Sequence, residues 1–337
     1  MASFRTGTVT AIVSERRGLQ RVEVDGEPAY VLTQLLAPVA LGDRVAINTT
    51  AVELGLGTGG WHVVHWNLSH DTVRTDSGGH VMKLRYTSLQ TDTGVATEHG
   101  DVPDTLDAVP VVTIALHSQL ACVAAAVKAL DESKRVVYVM TDGAALPVAL
   151  SDLVADLVYQ GVVDATVTAG HAFGGDLEAV NVRSALALAR HQLHADVIVA
   201  GMGPGSVGTS TPTGYSGLEV GAILDTAHDL GGQPVAVLRV SDADARERHR
   251  FVSEHSVVAL TRATHVPVVV AVPSGTVHLP DLGPHVFLAE VDAPDAVALL
   301  GRRGIIPTTM GRTPADDPRA FTFAAAAGAY AAAVAGR

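Results

Sequence analysis

Between Thr6 and Leu68 the apolar positions fall in short β-branched runs, TGTVTAIVSERRG, LQRVEVDGEPAYVL, GDRVAINTTAVELGLGTGG and WHVVHWNL, separated by turn signals. Alternation of apolar and polar residues marks a half-buried strand, and Asp25-Gly26 between two alternating runs is a hairpin signal. The pattern predicts a small antiparallel barrel or sandwich. HVMKLRYTSLQ reads as a further strand group after the polar break HDTVRTDSGG. TDTGVATEHGDVPDTLDAVP then loses its period, which places the boundary near Asp107: a β-rich domain over 1–106 and a second domain over 107–337.

From Val109 the period changes. Apolar strands alternate with helical stretches: VPVVTIAL with QLACVAAAVKAL, RVVYVM with VALSDLVADLVYQG, DATVTAG with DLEAVNVRSALALARHQL, and ADVIVAGM with LEVGAILDTAHDLGG. PVAVLRV, a helix around SVVALTRAT, and VPVVVAVP follow. Runs such as VIVA are apolar on successive residues, as strands covered on both faces must be. The prediction is an α/β fold, a doubly wound and mostly parallel Rossmann-like sheet of about six strands. The tail FTFAAAAGAYAAAVAGR is alanine-rich and reads as a helix that packs on the sheet or on a neighbouring subunit.

In such a sheet, ligands bind outside the strand C-termini, so the strand-to-helix loops carry the candidate chemistry. The most unusual is GMGPGSVGTSTPTGYSG, Gly201–Gly217, which holds six glycines and seven hydroxyl side chains without a charge. Gly203, Gly205 and Gly208 satisfy G-x-G-x-x-G. A dinucleotide site, however, needs a helix to begin at the third glycine, and Pro212 and Gly214 delay helical periodicity to about Ser216. The acidic partner is also late: Asp242 stands 34 residues after Gly208, where about 20 is usual. NAD and FAD are therefore disfavoured, and the missing G-K-[ST] removes the Walker reading. What remains is a cradle in which backbone amides and the hydroxyls of Ser206, Thr209 and Ser210 hold an anion, set against a plain surface loop.

The other loops supply His117, Asp142, and GHAFGGDLE with His171, Asp176 and Glu178. Histidine and carboxylates suit proton transfer, or a divalent metal held by oxygens. Each has a structural reading too: Asp176 as a helix N-cap, Glu178 in the first helical turn, Asp142 in an Asx-turn, and His117 as a satisfied strand-end histidine. RERHRFVSEHS concentrates Arg246, Arg248, Arg250, His249 and His255 beside the ligand edge, either as phosphate contacts or as a solvated helix face. His62 and His65, three apart on a strand, face opposite sides and do not share a metal.

Composition narrows the partners. The formal charge is −12, and only Lys83, Lys128 and Lys134 are lysines, so no basic stripe serves a nucleic acid. No apolar run reaches the roughly 20 residues of a spanning helix, and no membrane partner is expected. MASFRTGTVTAIVSERRG carries charges where a signal peptide needs its apolar centre, and Cys122 is the single cysteine, so a cytoplasmic location is expected.

The ordered strings GDRVAINTTAVELGLGTGG, GHVMKLRYTSLQ, VMTDGAALP, TAGHAFGGDLEAVN, GMGPGSVGT with GYSG, and RHRFVSEHS resemble the bacterial domain-of-unknown-function family 3866. The resemblance spans about Thr6 to Pro273 and implies a bacterial protein, with no activity or catalytic residue to carry over. The expected function is binding of a phosphorylated or anionic small molecule at the strand edge, by a hydrolase or group-transfer enzyme with His171 as acid or base. Two alternatives stand beside it: a metabolite sensor whose β domain contacts a protein, and an oligomeric scaffold. A homo-oligomer is expected in each case.

Overall fold

The computed structural model describes residues 2–56, 59–74 and 79–336. They divide into two compact units, Met1–Gly94 and Val95–Arg337. The aperiodic segment after Gly94 joins the second unit: the Leu106 and Ala108 amides donate to the carbonyls of Leu230 and Gly231, and Leu106 is buried.

In the first unit, β1 (Phe4–Arg16), β2 (Leu19–Val24), β3 (Glu27–Leu32), β4 (Arg44–Asn48) and β5 (His62–Asn67) close a barrel in the order β1-β2-β3-β5-β4, with a short α1 (Thr50–Glu53) before β5. Alternation sends Val22, Val24, Ala29, Val31, Val45 and Ile47 into its interior. Asp25 and Gly26 join β2 to β3 with φ of 53° and 82°, both positive, as a type I′ turn requires. HVMKLRYTSLQ forms less strand than its pattern predicts: among its residues only β6 (Met82–Lys83) is strand, paired with β7 (Thr91–Asp92) just after it, because Leu84 and Tyr86 turn the chain at positive φ.

The second unit contains β8 (Pro110–Thr113), α2 (Gln119–Leu130), β9 (Val136–Thr141), α3 (Asp152–Tyr159), β10 (Ala165–Ala169), β11 (Leu177–Ala179), α4 (Val182–His191), β12 (Val197–Met202) and α5 (Val220–Asp229). It continues through β13 (Gln233–Ala236), a two-stranded β14 (Val240–Ser241) and β15 (Phe251–Val252), α6 (Glu254–Arg262), β16 (Val268–Pro273), β17 (Val286–Val291), α7 (Ala296–Arg302) and α8 (Pro318–Val334). Eight strands form one parallel sheet, ordered β11-β10-β9-β12-β8-β13-β16-β17. The doubly wound α/β fold is as the periodicity predicts, with β11 and β17 added at the edges.

β11 corrects one reading. The segment DLEAV pairs with β10 as an edge strand, and helix α4 starts only at Val182, capped by the Asn181 side chain, which accepts from the Ser184 amide. Asp176 therefore caps no helix, and Glu178 lies in no first turn.

Successive strand residues serve opposite faces. Val112, Val136 and Tyr138 pack with α2 and α8, whereas Val111, Val137 and Val139 pack with α4 and α5. The alanine-rich α8 lies so close on α2 that a Cβ at Gly328 would overlap the Val123 carbonyl. Neighbouring strands β8 and β12 send their helices, α2 and α5, to opposite faces. Their loops diverge at the C-terminal edge and leave the crevice where ligands of such sheets sit. No helix among the described residues is long and apolar enough to cross a membrane.

Candidate functional site

The crevice is built by the loops after β8, β12 and β13 and by the segment between α7 and α8, which carries Met310 and Arg312. After β8, Ala115 and Leu116 turn away from the sheet, and both amides are held by Gln119 Oε1 at 3.0 Å. The Gln119 amide group donates onward to the Leu238 carbonyl at 3.1 Å, tying the end of β8 to the end of β13.

After β12 the glycine-rich stretch folds as a small hairpin. Gly208 and Tyr215 form an antiparallel bridge, the Thr209 amide donates to Gly214 O at 2.7 Å, and the Ser216 amide to Val207 O at 2.8 Å. The Thr209 and Thr211 hydroxyls bond each other and brace this turn, so they are spent within it. No helix follows Gly208: a 3-10 turn occupies Ser216–Glu219 and α5 starts at Val220. The three glycines thus meet no helix N-terminus, which is the physical failure of the dinucleotide pattern.

After β13 the chain supplies arginines. Arg239 is buried and bonds Asp244 at 3.2 Å; Arg246 bonds the same carboxylate at 2.9 Å, and Arg312 lies 3.8 Å from it. Burial alone raises the pKa of Asp244, but hydrogen bonds and charge from Arg246, with the charge of Arg239, drive it well below the carboxylate range. One buried anion thus aligns three guanidiniums. Arg248 makes no ion pair among the described residues; it donates to Thr209 O at 3.3 Å.

These loops enclose a cleft of about 110 Å³. Ser206, Val207 and Gly208 form one wall, Arg239, Arg246 and Arg248 another, and Leu116, Tyr215, His255 and Met310 are among the remaining lining residues. Tyr215 stacks on His255 with ring centroids 3.7 Å apart, and its hydroxyl donates to the His255 carbonyl at 2.5 Å. Burial, then the charges of Arg239, Arg248 and Arg246, hold the His255 pKa near 4, so the ring is neutral at pH 7. Its Nε2 is buried and has no hydrogen-bond partner among the described residues.

The sequence candidates distribute unevenly around this cleft. Ser206, Gly208 and His255 line it; Gly203, Gly205, Thr209, Ser210 and Arg250 do not. Gly203 is buried under β9, and Arg250 donates to the Asp244 carbonyl at 3.2 Å. Asp142 and His171 lie on the same strand edge, one loop away: Asp142 accepts from the His171 amide at 2.9 Å, and the Ala145 amide donates to Pro204 O at 3.0 Å. Asp176 accepts from the amide and hydroxyl of Thr166, and Glu178 from the Thr168 hydroxyl and the Gly174 amide. Both carboxylates fasten β11 to its neighbours. His117 has both ring nitrogens engaged, with Tyr138 OH at 3.2 Å and Ser151 Oγ at 2.7 Å, and burial lowers its pKa to about 4.

Sequence reasoning missed Arg239, Tyr215, Met310 and Glu219. Glu219 sits in the turn before α5 and accepts from the Thr141 hydroxyl at 2.6 Å; burial raises its pKa, and the charge of Asp142 adds to this. Its carboxylate fills the space where Gly143 has no side chain. The only signal for it was that glycine after a strand end. Among the described residues no group of three or more histidine, cysteine or acidic side chains is arranged to hold a metal ion.

No curated protein and no solved structure matches the chain. A family model does, over residues 28–328, with the description "Protein of unknown function (DUF3866)". The match takes in the last three strands of the barrel and the whole parallel sheet with its cleft, and the chain belongs to this family of unknown function.

Proposed function

We propose that the chain binds a phosphorylated or otherwise anionic small molecule in the cleft between Ser206–Gly208 and Arg239, Arg246 and Arg248. The observation that carries this reading is the charge balance of the wall. Asp244 is shared by Arg239, Arg246 and Arg312, of which Arg312 also pairs with Asp317, and Arg248 has no carboxylate partner among the described residues. Guanidinium forks present paired donors to phosphate oxygens, and a partly enclosed site strengthens each charge-assisted bond. The unpartnered Nε2 of neutral His255 supplies one further polar contact.

Titration calorimetry of the full chain with inorganic phosphate tests this. Arg248→Ala and Arg246→Ala should each weaken binding by about tenfold to a hundredfold. Unchanged affinity in both variants, or no binding of inorganic phosphate or of its methyl and phenyl esters by the unaltered chain, removes the reading.

A catalytic version of the same reading is favoured by Glu219. It lies two residues beyond Gly217, which lines the cleft, and burial together with the charge of Asp142 raises its pKa above the ordinary carboxylate value, the direction a proton-transferring carboxyl group needs. In that version Glu219, rather than His171, is the acid or base of a hydrolysis or group transfer. Turnover of a bound phosphate ester that is lost in Glu219→Gln with binding retained is the expected result.

A further inference from the structure

Two side chains at the cleft are unlike the arginine wall. Val207 and Met310 are large and apolar, yet 71% and 54% exposed, and both line it. Leu116 lies between the loops that carry them as a third apolar surface.

Met310 is held there against its own preference. It sits at φ 50° with Gly311 at φ 77°, in a two-residue turn closed by hydrogen bonds in both directions between Thr309 and Arg312 at 2.9 Å. Turns with two positive φ values favour Asn, Asp or Gly at the first position, and other side chains are strained there. Methionine gains nothing in return from the core, since more than half of it is exposed. Arg312 enforces the turn: its Nε bonds Asp317 at 3.0 Å, and Asp317 accepts from the Ser241 hydroxyl at 2.5 Å. A strained residue that neighbours fix in place, beside a cleft, points to a contact made with a ligand.

Resting on the anion reading above, we infer that the ligand is an organic phosphate ester carrying an aromatic ring, with the phosphate on Arg246 and Arg248 and the ring against Met310 and Val207. An inorganic anion would use only half of the wall. A polarisable thioether makes favourable contacts with an aromatic ring, and an aliphatic face adds apolar burial without demanding a hydrogen bond. The mixed wall therefore separates aryl esters from free phosphate.

The test is calorimetry of the full chain with phenyl phosphate, methyl phosphate and inorganic phosphate. Phenyl phosphate should bind at least about tenfold more tightly than the other two. Met310→Asn supplies the residue the turn prefers, so it should leave the melting temperature unchanged or raised while bringing the three affinities together; Val207→Ser should act in the same direction. Equal affinities in the unaltered chain, or a preference that survives both substitutions, overturn this inference and leave the anion site standing. Failure of all three probes to bind overturns both.

Discussion

The ring of Tyr215 lies flat against the imidazole of His255, with 5° between their planes. Tyr215 belongs to the hairpin after β12 and His255 to the first turn of α6, so this stack joins two walls of the cleft that are forty residues apart in the chain. His255 in turn meets His249 edge to face at 4.6 Å. The hairpin, exposed over most of its length, is held by these rings and by Arg248.

Removing the ring should therefore act on binding more than on folding. Tyr215→Ala is expected to weaken phosphate binding about tenfold, because the loop must then be ordered by the ligand. Tyr215→Phe keeps the stack and should fall between the two. Calorimetry on the three proteins checks the order.

Asp244 is the anchor of the arginine wall, and its loss leaves Arg239 buried without a counter-ion. Asp244→Ala is expected to destabilise the second unit by about 3–5 kcal/mol. Urea unfolding measures this, and a change below about 1 kcal/mol would show that the wall does not depend on that carboxylate.

His117, His249 and His255 share a depressed pKa near 4, each with burial as the largest cause. An unfolded histidine takes up its proton near pH 6.5, so between pH 6.5 and 4 the unfolded chain binds more protons than the folded one. Stability should be level above pH 7 and fall as the pH drops through this window, by about 3 kcal/mol for His117 alone. Urea unfolding at several pH values reads the slope, and His117→Gln should flatten it.

Gly328 tests the contact between α2 and α8. Alanine is the better helix former by about 1 kcal/mol, but its Cβ would overlap the Val123 carbonyl across the two helices. Overpacking outweighs propensity when backbone must move, and Gly328→Ala should cost on the order of 1–3 kcal/mol. A lowered melting temperature is the expected readout; a raised one would mean that the helices can part freely.

The sequence by itself determined the classes of structure. Periods of two up to Leu68 gave the barrel, and uninterrupted apolar runs such as VIVA gave the covered parallel sheet, because burial on one face or both is written directly into residue spacing. Asp25-Gly26 located its turn because few residues adopt two positive φ values in succession. The glycine-rich stretch and the RERHRF cluster were legible as unusual, and so was their position at the strand edge. What only the tertiary structure decided was which side chains meet. For Asp176 and Glu178 the sequence offers proton-transfer or metal chemistry on one side and a helix start on the other, because DLEAV has no local mark of an edge strand; pairing to β10, a long-range choice, assigned them to Thr166 and Thr168. Arg239 and Arg246 flank Asp244 in one segment, but Arg312 joins that carboxylate, and Met310 reaches the same cleft, from beyond the last strand. Such convergence depends on strand order, β12 between β9 and β8, and no local pattern encodes which strands become neighbours.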